Sequence, residues 1–339
     1  MKYSFRNDYS VAAHPLVIEK LASLGFEQNI GYGYDEHSNN AKKLILNKIK
    51  CDADIYFLAG GTQANMVVIS HILRPYQAVI ACDSGHINVH ETGAVEGSGH
   101  KIITVSGKDG KVLASDIEAV MMNHTDIHKV EPKLVYISQT TEIGTVYSKD
   151  ELKSLASTCK KYGLYLFLDG ARLASALACS DVTLADIAKY TDVFYIGGTK
   201  NGAFFGEAVV IVNNELKKGF DYHIKNKGAL LAKGFVCALG FEVLMSNNLY
   251  EEIGQKENEC ALYLKEELLK LGFKLAYNSF SNQQFVIIDR VLAKEVEADY
   301  GFEVFEELDE KDIIIRLVTA FDTKMSDCQN FIQTIAQKI

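Results

Sequence analysis

The sequence predicts an α/β protein: a large domain built on a mainly parallel sheet with helices on both faces, then a smaller C-terminal α+β domain. Three observations predict it. Strand-like runs alternate with amphipathic helical patterns over most of residues 1–245, the rhythm of repeated βαβ units. Several of these strands are apolar on both faces, as strands buried within a parallel sheet must be. From about Asn214 the pattern turns helical through Lys270 and then gives shorter strands, which marks residues 246–339 as a second unit. The segment ahead of the first helix is a candidate to join that smaller unit.

The elements follow in order. A helix over Pro15–Leu24 carries proline in its first turn, where a missing N–H leaves no bond unmade. A second helix is expected over Asn39–Lys50. The strand Ile55–Leu58 leads through Gly60-Gly61 into a helix over Thr62–Leu73. Strands Ala78–Cys82 and Lys101–Val105, a helix after Ser115 and the strand Lys133–Ser138 come next. Ser148 and Glu151 form a capping box that opens the helix Lys149–Tyr162. Strands Leu164–Asp169, Asp192–Ile196 and Glu207–Val212 complete the large domain. The smaller unit has strands at Gln284–Asp289, Phe302–Phe305 and Asp312–Val318 and closes with a helix reaching Ile339. With only three prolines in the chain, the boundary near 240–250 is unpunctuated and is expected within or beside a long helix.

Composition narrows the function. The 339 residues are 48% hydrophobic and 23% charged, and a formal net charge of −9 would repel a polyanion, which argues against nucleic acid as partner. No apolar run is long enough to span a membrane, and MKYSFRNDYS lacks the basic flank and apolar stretch of a secretory signal, so a cytoplasmic protein is expected. Seven cysteines scattered singly, without a CxxC, read as buried thiols rather than disulfides or zinc ligands.

In open parallel sheets ligands collect beyond the carboxyl ends of the strands. One such end is Asp169-Gly170-Ala171-Arg172, a carboxylate closing an apolar strand with an arginine just after it. Taken alone it is equally an N-cap with its partner. A second end places Lys200 between glycines, after Ile196 and before Phe204-Phe205. A lysine desolvated there has a lowered pKa and can attack a carbonyl, whereas a lone loop lysine more often snorkels to water. Gly60-Gly61-Thr62 opens a helix after a strand, where free N–H groups and the Thr62 hydroxyl suit a phosphate. It is not a Walker A loop, and Gly31-Tyr32-Gly33 is not a dinucleotide fingerprint. An amine for a Schiff base, a carboxylate for a pyridinium nitrogen and a cradle for a phosphate are together the set that pyridoxal 5′-phosphate requires.

On these motifs the sequence resembles the low-specificity threonine aldolases and the wider β-eliminating lyase group of the fold-type I, aspartate-aminotransferase-like enzymes. The likeness runs from Phe5-Arg6-Asn7-Asp8 to Arg316-Leu317-Val318-Thr319. It implies that Lys200 forms the aldimine with the cofactor, Asp169 pairs with the pyridinium nitrogen, and Gly61 and Thr62 hold the phosphate. It further implies that His86 stacks on the cofactor ring, and that Arg172, at the cofactor, joins Arg316 in binding the substrate carboxylate. His86 and His90 are also spaced to share a helix face, but their order is not HExxH and no third ligand is in view, so no metal is expected. Glu91 either faces the cofactor or caps charge on the helix.

The chain departs from the family in three places. Thr141, in Gln139-Thr140-Thr141-Glu142, stands where a Thr-His pair handles the substrate hydroxyl; Asn7 stands for a substrate-contacting serine; and Lys233 stands for an arginine. The implied reaction is cleavage of a β-hydroxy amino acid such as threonine or allo-threonine to glycine and an aldehyde through an external aldimine, with His86, Glu91 or a bound water as base. Alternatives are β-elimination or transamination of another small amino acid, or a non-catalytic protein of the same fold. A homodimer or homotetramer is implied, with Asn29–Ser38 reaching a neighbour's site.

Overall fold

The computed structural model describes residues 2–339. Among them thirteen strands form three sheets: β1 (Tyr3–Ser4), β2 (Asp54–Leu58), β3 (Gln77–Cys82), β4 (Lys101–Val105), β5 (Glu131–Ser138), β6 (Tyr165–Asp169), β7 (Val193–Gly197), β8 (Glu207–Ile211), β9 (Lys274–Leu275), β10 (Gln283–Asp289), β11 (Tyr300–Gly301), β12 (Glu303–Glu307) and β13 (Asp312–Val318). Every residue of β3, β7 and β8 is buried, which is why these strands read as apolar on both faces. The seven-stranded sheet runs β2-β8-β7-β6-β5-β3-β4, parallel from β7 to β4, with β8 antiparallel to both neighbours. Register then sets the site: Ser138 lies opposite Asp169, and Gly197 opposite Glu207, so strand ends from β5 to β8 meet along one edge.

Local chemistry starts and stops the helices. Lys149–Tyr162 has the expected capping box and ends at Gly163, whose φ of 65° is a left-handed turn that glycine adopts without strain. The helix expected from Asn39 begins at Glu36, because the buried Asp35 carboxylate accepts from the Ser38 N–H at 2.7 Å and caps it three residues earlier.

A four-stranded antiparallel sheet, β12-β13-β10-β9, packs on the helices Leu249–Lys270 and Met325–Ala336 around Leu264, Ile288, Ile315 and Phe331. The β1 strand pairs in parallel with β11, Tyr3 opposite Tyr300, and Phe5 is buried in the same cluster. No helix among the described residues is long and apolar enough to cross a membrane.

Candidate active site

The strand ends open into a cleft with two lobes that share Tyr9, His86, His90, Glu142, Arg172 and Lys200. The sheet-side lobe, about 350 Å³, is walled by Gly60, Gly61, Thr62, Thr140, Asp169, Tyr195, Thr199 and Glu207. Asp169 ends β6, and both its oxygens are already acceptors. Oδ1 accepts from the Tyr195 hydroxyl and from the Ala171 N–H at 3.0 Å, and Oδ2 from the Tyr136 hydroxyl at 2.6 Å and from Asn65 Nδ2 at 3.0 Å. Burial holds both phenols well above their ordinary pKa, with the Asp169 charge adding to it, so they remain donors.

Lys200 follows β7 in a turn tied down by Glu207, whose carboxyl accepts from the Gly198 N–H at 3.1 Å and the Thr199 hydroxyl at 2.9 Å. Burial and the neighbouring Arg172 charge hold the Lys200 amine below the usual lysine pKa, against the pull of Asp8, Glu142 and Asp169. Burial also pushes the Glu207 carboxyl up to about 8, although Thr199, Lys200 and Gly198 act the other way. His86 presents its ring to both lobes while its Nδ1 is bonded to Glu91 Oε1 at 2.7 Å; Glu91 in turn accepts from Asn65 Nδ2 at 2.7 Å. Burial works against the imidazolium, yet the Glu91 bond and the charges of Glu142 and Asp169 raise its pKa above the ordinary value.

The second lobe, about 550 Å³, adds Arg6, Asn7, Glu297, Glu303 and Arg316. Both expected carboxylate-binding arginines are in the cleft, and both are already paired. Arg172 holds Asp8 through Nε at 2.7 Å and Nη2 at 3.1 Å, and Asn282 Nδ2 supports Asp8 at 3.1 Å. Arg316 bonds Glu303 and, at 3.2 Å, Gln283, while its Nε is buried without a partner.

Two of the expected residues lie off both lobes of this chain. Thr141, expected at the substrate hydroxyl, lines neither lobe: its hydroxyl is 2.6 Å from that of Thr145 and its N–H donates to the Thr145 carbonyl, while the next residue, Glu142, lines both lobes. Lys233 lines neither lobe of this chain; it is exposed beside the Tyr32–Tyr34 segment, where the Tyr32 N–H donates to the Ala232 carbonyl. Asn7 lines the second lobe, with Oδ1 accepting from the Tyr9 N–H and the Ser10 hydroxyl. Sequence reasoning missed Asp8, Glu207 and Glu303. Glu207 left a legible signal, a lone acid opening an otherwise apolar strand.

With this geometry in hand, comparison with known proteins is decisive. The β-eliminating lyase family model matches residues 9–290. The chain belongs to that family. The low specificity L-threonine aldolase of Pseudomonas aeruginosa is 34% identical over 250 residues, 72% of this chain and 71% of that one. A solved structure of Leishmania major threonine aldolase superposes with a TM-score of 0.98 at 46% identity, over 99% of each chain. An aspartate aminotransferase of Thermus thermophilus shares the fold, with a TM-score of 0.70 at 15% identity.

This β-eliminating lyase is a pyridoxal-phosphate-dependent enzyme acting on an amino acid, and its sheet-side lobe fits the cofactor. The helix Gly61–Ile72 begins without a side-chain cap, leaving its first N–H groups for a phosphate. A Cβ on Gly61 would come within 3.1 Å of the Tyr195 hydroxyl, so the absence of a side chain keeps that approach open. The buried Thr140 Oγ1 on the same wall lacks a partner, as a group awaiting a polar ligand does.

Proposed function

We infer that the chain cleaves a β-hydroxy amino acid of the threonine type to glycine and an aldehyde. One observation carries the reading: two arginines stand across a single cleft from a desolvated lysine, in a chain matched along 99% of its length by a threonine aldolase. Residues 1–245 serve in it as the cofactor-binding unit and residues 246–339 as the smaller one. Gly61, Thr62 and the helix end behind them would hold the phosphate, Asp169 the ring nitrogen, and Lys200 the aldehyde carbon. When bound, the cofactor supplies the electron sink for the bond broken at Cα.

The protein's own groups do the rest. Tyr136, Tyr195, Asn65 and the Ala171 N–H fix Asp169 as an acceptor. Glu91 holds His86 by Nδ1 and so sets the ring's orientation in the cleft. Arg316 and Arg172 orient the substrate carboxylate, which chooses the bond that stands perpendicular to the cofactor plane. Asn7 lines the same lobe as the two arginines and would join them at that carboxylate.

An assembly of identical subunits belongs to this reading, supported by the exposed Phe26, Ile30 and Tyr34 on the segment ahead of the second helix. So does a cytoplasmic location, supported by seven free thiols. The test is aldehyde release from threonine and allo-threonine by purified protein carrying the visible absorption of bound cofactor. Lys200→Ala should abolish the release and shift that absorption, because the cofactor can bind but has no amine to join. Ammonia and pyruvate from serine, with no aldehyde from any β-hydroxy amino acid, would replace this reading with β-elimination.

A further inference from the structure

We propose that the Glu142 carboxylate is the catalytic base that takes the β-hydroxyl proton as the carbon–carbon bond breaks. The inference rests on the aldol-cleavage reading and adds to it the group that the reaction still lacks. Cleavage moves one proton and one electron pair at the hydroxyl. The O–H proton passes to a Glu142 oxygen, and the O–H pair becomes the second bond of the aldehyde carbonyl. The Cα–Cβ bond breaks, its pair going to the electron sink that the bound cofactor would supply, and one proton returned to Cα completes glycine. The base must therefore be an acceptor, free of other partners, and must face both the amine and the arginines.

The cleft offers few such groups, and His90, which lines both lobes with no side-chain hydrogen bond among the described residues, is the rival that the test separates. Asp169 and Glu207 are each held by at least two donors on the protein. Glu303 is held by Arg316, and Glu297 lies 3.7 Å from Arg6. His86 is tied through Nδ1 to Glu91 and so is not free of other partners. Glu142 alone among the carboxylates lining the cleft has neither a hydrogen bond nor an ion pair among the described residues. It lines both lobes, and its charge acts on Lys200, Arg172 and His86 together.

Its position is also built. Gln139 clamps the far end of the loop, donating to the Tyr147 carbonyl at 3.0 Å and accepting from the Tyr147 N–H at 2.8 Å. Thr141 closes the near end on Thr145 at 2.9 Å, and the Gly144 carbonyl is held at 3.1 Å by the Ser279 hydroxyl. A carboxylate at the tip of so restrained a loop is preorganised for proton transfer.

The test compares two reactions of the holoenzyme. Cleavage of threonine needs a base at the β-oxygen; exchange of the glycine α-proton with deuterated water does not. Glu142→Gln is expected to lower kcat for cleavage by about 10²- to 10⁴-fold, the usual range for a positioned base. Glycine exchange, KM and the cofactor absorption should be preserved, and Glu142→Asp should recover part of the cleavage. Cleavage kept within a few-fold in Glu142→Gln overturns the proposal, as does an equal fall in exchange, or the same selective loss in His90→Gln instead. If Glu142→Gln fails to take up cofactor, the cleavage-to-exchange ratio of Glu142→Asp decides, and an unchanged ratio overturns the assignment. A wild-type enzyme that exchanges glycine yet releases no aldehyde refutes the aldol reading itself, a result distinct from any of these.

Discussion

On the sheet-side lobe each oxygen of Asp169 already holds two donors, whereas on the second lobe Arg316 is paired with a Glu303 whose side chain is 43% exposed. The first wall gains nothing by moving. On the second, Glu303 can pass to water while a substrate carboxylate takes its place. Arg172 is the intermediate case: it too is paired, but with an Asp8 side chain that is fully buried, so the exchange costs more there. The difference teaches where kinetic effects divide. Changes on the fixed wall should act on kcat, and changes on the exchangeable one on KM.

Asp169→Asn is the largest break. It keeps the shape and removes the charge, and kcat should fall by about 10²- to 10³-fold, as when a preorganised electrostatic partner is lost. A comparable rise in KM with kcat preserved would show that the sheet-side wall also acts in substrate binding. Next comes Gly144→Ala. Its φ of 76° and a Cβ only 2.2 Å from Ser279 Oγ make alanine a clash in a left-handed turn, worth about 1–3 kcal/mol of stability. A lowered Tm together with a selective fall in cleavage would tie that loop to the catalytic wall.

Glu303→Gln sharpens the contrast from the other side. With the resident carboxylate removed, Arg316 is free in a larger fraction of molecules, and KM should fall several-fold at constant kcat. A rise in KM would instead make Glu303 a brace for the guanidinium. The smallest effect lies outside both lobes and serves as a control. Burial works against a charge on His37, but its bonds to Glu242 at 2.6 Å and Glu27 at 3.0 Å raise its pKa above the ordinary 6.5. The folded chain then keeps a proton that the unfolded chain gives up, so this contribution is whole below pH 6.5 and lost as pH rises through the folded pKa. Melting curves on either side of that window should differ by a few degrees at most, and His37→Gln should flatten the difference while sparing kinetics.

How much of this the sequence carried depends on the distance over which each residue finds its partner. Lys200, Asp169 and Gly61-Thr62 announce themselves because strand, glycine and polar residue are neighbours in the chain, and a parallel sheet gathers its strand ends in one place. Asp8 joins Arg172 across most of the large domain, and Glu303 meets Arg316 only through the β12–β13 register, which an irregularity shifts between Val304 and Glu306. No local pattern encodes either pair. The choice between Thr141 and Glu142 was missed for the opposite reason: they are adjacent, and a single hydroxyl contact with Thr145 decides which one turns inward.

The pairing of β1 with β11 has a consequence for the order in which the molecule is made. On the ribosome the residues of β1 and Asp8 emerge ahead of the central sheet, yet β1 has no strand to join until Tyr300 and Gly301 have been synthesised. Asn282, which steadies Asp8, also arrives late. A nascent chain can therefore complete the central sheet, with Lys200 and Asp169 in place, while the segment that pairs with Arg172 is still loose. The segment around β1 is thus among the last to dock, and catalytic competence should appear abruptly once residues 282–301 have emerged rather than grow with chain length.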